Sequence, residues 1–143
     1  MQVKAKLLHP EAKMPTRAKE GDAGYDVCSV KKLILKPGEY TAVPTGVALQ
    51  IPVGVEVQVR PRSGLAVKHG IGIVNSPGTI DSGYRGEISA ILINHGTEPF
   101  LIEPGMRIAQ FVFNEYLSPS FTEVEQLDES SRGEDKFGST GTK

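Results

Sequence analysis

The chain has 143 residues, the length of one domain, and a formal net charge of −1 from 16 Lys and Arg against 17 Asp and Glu. This balance excludes a basic field for a nucleic acid polymer, although local arginines can still bind a phosphorylated ligand. The single cysteine, Cys28, excludes an internal disulfide and favours a reducing compartment. No signal peptide or membrane span is recognisable, so we expect a cytoplasmic protein, or a nucleocytoplasmic one in a eukaryote or virus.

Glycine and proline recur about every ten residues and separate short runs that are typical of β-strands. These runs predict strands near residues 33–36, 41–51, 54–60, 88–94, 107–113 and 121–126. The one helical candidate is residues 63–70, with Ser63 as the predicted N-cap and Gly70 at its end. The pattern predicts an all-β sandwich, barrel or jelly roll over residues 1–127, followed by a polar tail at 128–143.

The first stretch with chemical potential is "RPRSGLAVKHG", in which Arg60 and Arg62 flank Pro61 before Ser63 and Gly64. The start of a helix presents free backbone N–H groups, so anions bind there. An arginine fork and a serine hydroxyl would strengthen such a site. The alternative is an ordinary capped helix beside a solvated arginine.

The second stretch is "GTIDSGYRGEI", where Asp81, Ser82 and Gly83 predict a hairpin turn between Ile80 and Tyr84. Asp81 either caps this turn or serves as a carboxylate that takes a proton from water. In the second case a flat base could lie against the backbone groups of the turn.

Asp26 in "DAGYDVCS" and Gln110 in "GMRIAQF" are polar residues inside apolar runs. Each must be hydrogen-bonded, face a site, or lie on an exposed edge. The patterns for a phosphate-cradling loop and for a helical zinc site are absent. His9, His69 and His95 are scattered, so we expect no histidine metal site.

Five motifs, "AGYDVCS", "PRSGLA", "IDSGYRGEI", "GMRIAQ" and "RGEDKFGSTG", together resemble those of the trimeric dUTPase family over about residues 20–143. The resemblance implies a jelly-roll-like β-barrel, a homotrimer with sites built from more than one chain, and a flexible C-terminal arm. It implies Mg²⁺-assisted hydrolysis of dUTP to dUMP and pyrophosphate. Such a reaction limits uracil incorporation into DNA and supplies dUMP for thymidylate synthesis.

The resemblance also implies roles for residues of the first four motifs. Asp81 would activate the attacking water, Tyr84 would pack under the deoxyribose, and Gln110 would lie beside the α-phosphate. Asp26 would order polar groups near the water shell of the metal, for which no direct protein ligand is expected. The remaining contacts are to the uracil, from Asn75 and the backbone of Gly78, Thr79, Ile80 and Asp81, and to the phosphates, from Arg62, Ser63 and Gly64.

The last motif implies that residues 128–143 close over bound nucleotide. Phe137 would stack on the uracil and Arg132 would reach the γ-phosphate, with further phosphate contacts from Gly138, Ser139 and Thr140. Lys136 departs from the family pattern, which often has a second glycine before the phenylalanine.

Two alternatives remain open from the sequence. A dCTP deaminase of the same fold would need a carboxylate beside the amino group of cytosine, and Glu87 is the candidate nearest to the predicted hairpin. A non-catalytic nucleotide sensor or protein-binding module on the same scaffold is the other alternative.

Overall fold

The computed structural model describes residues 1–143 and is mostly β, with 38% strand and 5% helix. One helix, α1 (Ser63–His69), lies between the fifth and sixth of ten strands. The strands are β1 (Lys4–Leu7), β2 (Gly24–Cys28), β3 (Leu33–Leu35), β4 (Tyr40–Gln50), β5 (Val55–Arg60), β6 (Ile71–Ile73), β7 (Gly78–Ile80), β8 (Ile88–Asn94), β9 (Phe100–Ile102) and β10 (Arg107–Glu115). No helix is long and apolar enough to cross a membrane.

The strands form three antiparallel sheets. Sheet A has the order β1-β4-β8-β6, sheet B has the order β2-β10-β5-β7, and β3 pairs with β9 in a small third sheet. No ladder joins sheet A to sheet B, so the barrel expected from the family resemblance is not closed by hydrogen bonds. The outer strands β1, β6, β2 and β7 remain edges within this single chain.

The core lies between sheets A and B because their strands alternate buried and exposed side chains. Val55, Val57 and Val59 are buried while the residues between them are half-exposed, as the alternation in the sequence predicts. Leu92 of sheet A and Phe111 of sheet B are fully buried in the same apolar cluster. Burying this apolar area supplies the main driving force for folding.

Two local predictions are wrong. The run at 121–126 forms no strand, because it pairs with none of the sheet edges and strand propensity alone does not form a strand without a partner. The N-cap of α1 is Arg62, with φ −92° and ψ 127°, and no side chain caps the helix. Ser63 is therefore the first helical residue, and its hydroxyl makes no capping bond.

The end of α1 agrees with the prediction. Gly70 has φ 69°, in the left-handed region that favours glycine, and its N–H donates to the last turn of α1. A β-carbon at Gly70 would lie 2.7 Å from the backbone nitrogen of Gly96. The close packing of these two backbones fixes the helix against the β8–β9 turn.

Candidate functional site

An ion-paired cluster lies where β2, β10 and the start of α1 meet. Arg62 Nε lies 3.0 Å from Asp26 Oδ1, and Arg107 Nε lies 3.9 Å from Asp26 Oδ2. The Arg62 guanidinium also donates to the Arg107 carbonyl oxygen at 3.4 Å. Asp26 is thus neither a free carboxylate nor an exposed edge residue, because it holds Arg62 at the entrance to the helix. Solvent screens this partly exposed pair, so its contribution to the free energy of folding is small.

Gln110 is fixed beside this cluster by the strand register and by a hydrogen bond. It lies between Asp26 on β2 and Arg60 on β5, and its Nε2 donates to the Pro61 carbonyl oxygen at 2.9 Å. A β-carbon on Gly24 would collide with Gln110 Oε1. Glycine at position 24 therefore leaves the room that the amide needs.

The start of α1 completes this end of the site. Ser63 and Gly64 are exposed, and the side chain of Ser63 has no partner in the chain. Together with Gln110 and Arg60, Ser63 borders an open cleft that is also lined by Gln58, Ser76 and two prolines, Pro61 and Pro77. The arrangement offers donors in one place, as a phosphorylated ligand requires.

The turn after β7 is present, but it does not form a hairpin. The Tyr84 N–H donates to the Asp81 carbonyl oxygen at 3.1 Å, which closes the turn. However, β7 pairs with β5 in sheet B, whereas β8, the next strand along the chain, belongs to sheet A. The predicted hairpin is therefore wrong, because the turn crosses from one sheet to the other. Asp81 is exposed and has no hydrogen-bond partner for its carboxylate.

Tyr84 is held against the segment that follows it. Its hydroxyl donates to the Glu87 carbonyl oxygen at 2.8 Å, and a β-carbon on Gly86 would lie 2.5 Å from that hydroxyl. Asn75 is exposed in the loop before β7, and its Nδ2 would lie 3.2 Å from a β-carbon on Gly78. The anchored aromatic ring and the amide thus lie along one exposed segment, in which Thr79 is exposed and Ile80 is half-buried.

The carboxylate of Glu87 is hydrogen-bonded within the chain. Its Oε1 accepts a hydrogen bond of 3.1 Å from the backbone N–H of Gly46, at the irregularity in β4. A deaminase would need this carboxylate at the base, so the structure gives that alternative no support.

The chain separates the two halves of the predicted site. Strand β5 lies between β10 and β7, so both residues can be located along it. Gln110 lies opposite Arg60 and Ile80 lies opposite Val57, which puts Asp81, the next residue, near Glu56. Four residues along a strand correspond to about 13 Å. Asp81 and Gln110 are therefore too far apart within one chain to act on the same phosphate.

The predicted arm makes no hydrogen bond to the β sheets. Beyond Tyr116, every hydrogen bond of the tail is local. Arg132 donates to the carbonyl oxygens of Asp135 and Lys136 at 3.2 and 3.3 Å, and Phe137 is fully exposed. Gly138, Ser139 and Thr140 are also exposed. The structure thus brings none of the tail residues to the cluster around Gln110.

Some residues of the site were not singled out by the sequence. Arg107 and Gly24 lie within recognised motifs, but only the structure shows that they contact Asp26 and Gln110. Arg60 was noted as a neighbour of Pro61 without a role of its own. No group of three or more His, Cys, Asp or Glu side chains is close enough together to hold a metal ion.

These features define a class of protein, a β-sandwich that presents arginine, serine and amide donors to a phosphorylated ligand. A family model described as dUTPase matches residues 10–141. The deoxyuridine 5′-triphosphate nucleotidohydrolase of Clostridium novyi is 51% identical over 141 residues, covering 99% of each chain. The chain belongs to the dUTPase family, whose members hydrolyse dUTP.

Solved structures support the same conclusion. The dUTPase of Staphylococcus bacteriophage 80alpha, solved with dUpNHpp, is 31% identical, with a TM-score of 0.92 and 99% coverage of each chain. A mutant dUTPase from phage phi11 of S. aureus, described with a structural Mg(II) ion, is 27% identical, with a TM-score of 0.83. It covers 88% of this chain and 98% of its own.

Proposed function

We propose that three copies of this chain hydrolyse dUTP in sites that each draw residues from more than one chain. The offset of about 13 Å along β5 between the positions of Asp81 and Gln110 carries the proposal, because one chain alone cannot bring the two to one phosphorus atom. A closed cyclic assembly repeats the same contact three times and completes every site in the same way.

Apolar side chains that one chain leaves exposed support the assembly. Leu117, Phe121 and Leu127 are 93%, 96% and 82% exposed, and they follow the last strand in a segment without partners. Three large apolar side chains in one short exposed segment are typical of an interaction surface. In a homotrimer, a neighbouring chain would cover these apolar side chains.

One end of the shared site binds the phosphates. Ser63 and Gly64 offer a hydroxyl and backbone N–H groups, while Gln110 offers an amide beside the α-phosphate. Arg62 is fixed by Asp26 at 3.0 Å, so its position requires no rearrangement when substrate arrives. Donors already aimed at the site stabilise developing charge more effectively than groups that must reorganise.

The other end selects the base and the sugar. Backbone groups from Gly78 to Asp81, with the Asn75 amide, would read the uracil edge. A backbone N–H that faces O4 of uracil would meet the amino group of cytosine as donor against donor, which costs about 1–3 kcal/mol for each unpaired group. Tyr84, anchored through its hydroxyl, would pack under the deoxyribose and exclude a 2′-hydroxyl.

Asp81 is the general base of the reaction. Its carboxylate takes a proton from water while the water oxygen forms a bond to the α-phosphorus. The bond from that phosphorus to the α–β bridging oxygen breaks, and pyrophosphate leaves with the electron pair. The product that remains is dUMP. Exposure of Asp81 in the single chain leaves its carboxylate free for this role.

Magnesium fits this site as a cation carried by the substrate. The carboxylate of Asp26 already contacts Arg62 and Arg107, and no cluster of three ligating side chains exists. Mg²⁺ keeps several waters and is commonly held by phosphate oxygens with few protein ligands. When bound, it neutralises part of the triphosphate charge, and Asp26 would contact its water shell.

Residues 128–143 act as an arm that closes over the nucleotide. Phe137 would leave water and stack on the uracil, while Arg132 would exchange two carbonyl acceptors for oxygens of the γ-phosphate. Gly138, Ser139 and Thr140 would complete the phosphate contacts. Closure excludes water from the reacting groups and delivers the Arg132 charge only when substrate is present.

A mixed-trimer experiment tests the shared site. Chains carrying Asp81→Asn and chains carrying Arg132→Ala are coexpressed with different tags, and trimers that hold both are purified. If each site takes Asp81 and Arg132 from different chains, a mixed trimer has one intact site, so about a third of wild-type activity returns. The measurement is pyrophosphate release from dUTP with Mg²⁺.

Each variant trimer alone is the control and should have little activity. Mixed trimers of confirmed composition that recover no activity would show that both residues come from the same chain.

A further inference from the structure

The two arginines that flank Pro61 differ in how their charges are balanced. Arg62 is paired with a carboxylate, as described above. Arg60 has no carboxylate oxygen within 4 Å, since the two ion pairs of the chain join Asp26 to Arg62 and to Arg107. Arg60 is half-buried, so solvent balances only part of its charge. A partly desolvated cation without a counter-charge is favourable where an anion is to be bound.

Arg60 is also held in one orientation by its own strand. Its Nε and Nη2 both donate to Gln58 Oε1, at 2.9 and 2.6 Å, and Gln58 Nε2 donates to Glu56 Oε1 at 2.9 Å. These residues alternate along β5 and therefore share the outer face of sheet B. The remaining nitrogen, Arg60 Nη1, has no hydrogen-bond partner in the chain.

The surroundings of Arg60 match those of the proposed phosphate end. Arg60 lies directly opposite Gln110 in the β5–β10 ladder, so the two side chains share a face. Both border the open cleft that also contains Ser63. A donor that is fixed, charged and unpaired thus lies beside two groups already expected to contact phosphate.

We propose that Arg60 is a further phosphate-binding residue, which contacts the triphosphate chain of the nucleotide through its free Nη1, and that Gln58 positions it. The inference rests on the proposed function, because it assumes that Ser63 and Gln110 contact the phosphates. The two arginines then reach the phosphates in different ways. Arg62 is held by the carboxylate of Asp26, while Arg60 is held by the neutral amide of Gln58 and so adds positive charge that no carboxylate offsets.

The test compares ligands with and without phosphate. Affinities of the trimer for an uncleavable dUTP analogue and for deoxyuridine are measured for the wild type and for Arg60→Gln. The analogue should bind about tenfold more weakly or worse to the variant, as expected for loss of a charged hydrogen bond. Deoxyuridine should bind equally well to both. Arg60→Lys keeps the charge without the fork and should recover part of the loss.

Two further variants sharpen the test. Gln58→Glu leaves Arg60 in place but gives it a carboxylate partner, so it should weaken analogue binding in the same direction by a smaller factor. Lys6→Gln removes one positive charge from β1, at the edge of the other sheet, and should leave analogue binding unchanged. This control separates a local contact from a change in net charge.

The outcomes distinguish failure of this inference from failure of the proposed function. If Arg60→Gln binds the analogue as the wild type does, Arg60 does not contact phosphate. Equal losses for the analogue and deoxyuridine, or dissociation of the trimer in sedimentation, would assign Arg60 to folding or chain contacts and overturn the inference. Failure of the wild type to bind the analogue would instead refute the proposed function.

Discussion

The β sheets and the tail at residues 128–143 differ in what holds their candidate functional residues. In the sheets, Arg62 and Gln110 are fixed by an ion pair and a hydrogen bond to other elements. In the tail, Arg132 contacts only its own neighbours, and Phe137 contacts nothing in the body of the chain. The fold thus already holds the first group in place, whereas under the proposed function the second would become ordered only when the arm closes over substrate. Each should therefore respond differently to mutation.

The largest expected effect comes from removing the tail. A chain ending at Glu129 loses Arg132 and Phe137, and the loss of a late-arriving arginine alone should lower kcat by roughly 10³-fold or more. The free energy of unfolding should not change, because residues beyond Tyr116 make no hydrogen bond to the sheets. Pyrophosphate release and urea unfolding measure the two quantities on the same protein.

Either of two results with the truncated chain would contradict the distinction between the sheets and the tail. A truncated protein with full activity would remove the arm from the mechanism. A large loss of stability would show that the tail is part of the folded body. Adding the missing segment as a separate peptide provides a control, since partial recovery of activity would show that the body remained competent.

A smaller effect is expected from disturbing the organised part. Gly24→Ala places a methyl group where Gln110 Oε1 lies, so the amide must move. We expect kcat to fall by about 10²-fold, comparable to the loss of one preorganised donor. Gly72→Ala is the matched control, because its β-carbon would meet only ordinary contacts of 3.5 Å or more. Steady-state kinetics on both variants make the comparison.

Similar losses in both variants would indicate a general intolerance of alanine in the sheets. A Gly24→Ala protein with normal kcat would show that Gln110 can be displaced without consequence, which contradicts its proposed place beside the α-phosphate.

The sequence predicted the parts of the fold that depend on local pattern. The alternation at Val55, Val57 and Val59 identified a strand with one buried face, and Gly70 marked the end of the helix. Pairing between distant strands is not encoded in such patterns. The segment 121–126 has the composition of a strand, yet no edge of its own chain receives it. The turn at Asp81 was predicted correctly, but not the fact that it joins two sheets.

The candidate site was predictable as a set of residues but not as an arrangement. Short motifs gave Asp26, Arg62 and Gln110, and the structure brings these three together. Nothing in the sequence indicates that Asp81 lies about 13 Å away along the strands. The sequence also does not show which charged side chains form ion pairs, since "RPR" does not indicate which arginine has a carboxylate partner.

The smallest expected effect concerns Lys136, the residue that distinguishes this arm from the family pattern. Replacing it with glycine adds conformational freedom to the open arm, which costs about 0.5–1 kcal/mol at closure. The change also removes a positive charge near the triphosphate. We therefore expect KM for dUTP to rise by a few-fold at low salt, with kcat unchanged. At higher salt the difference in KM between Lys136→Gly and the wild type should become smaller, because salt screens charges on an exposed arm. The part that remains reflects the added conformational freedom of glycine. Lys136→Ala, which removes the charge without adding glycine, separates the two contributions. A lower KM for Lys136→Gly would show instead that lysine obstructs closure, and the arm of this chain would then be less adapted to its substrate than the glycine-rich form.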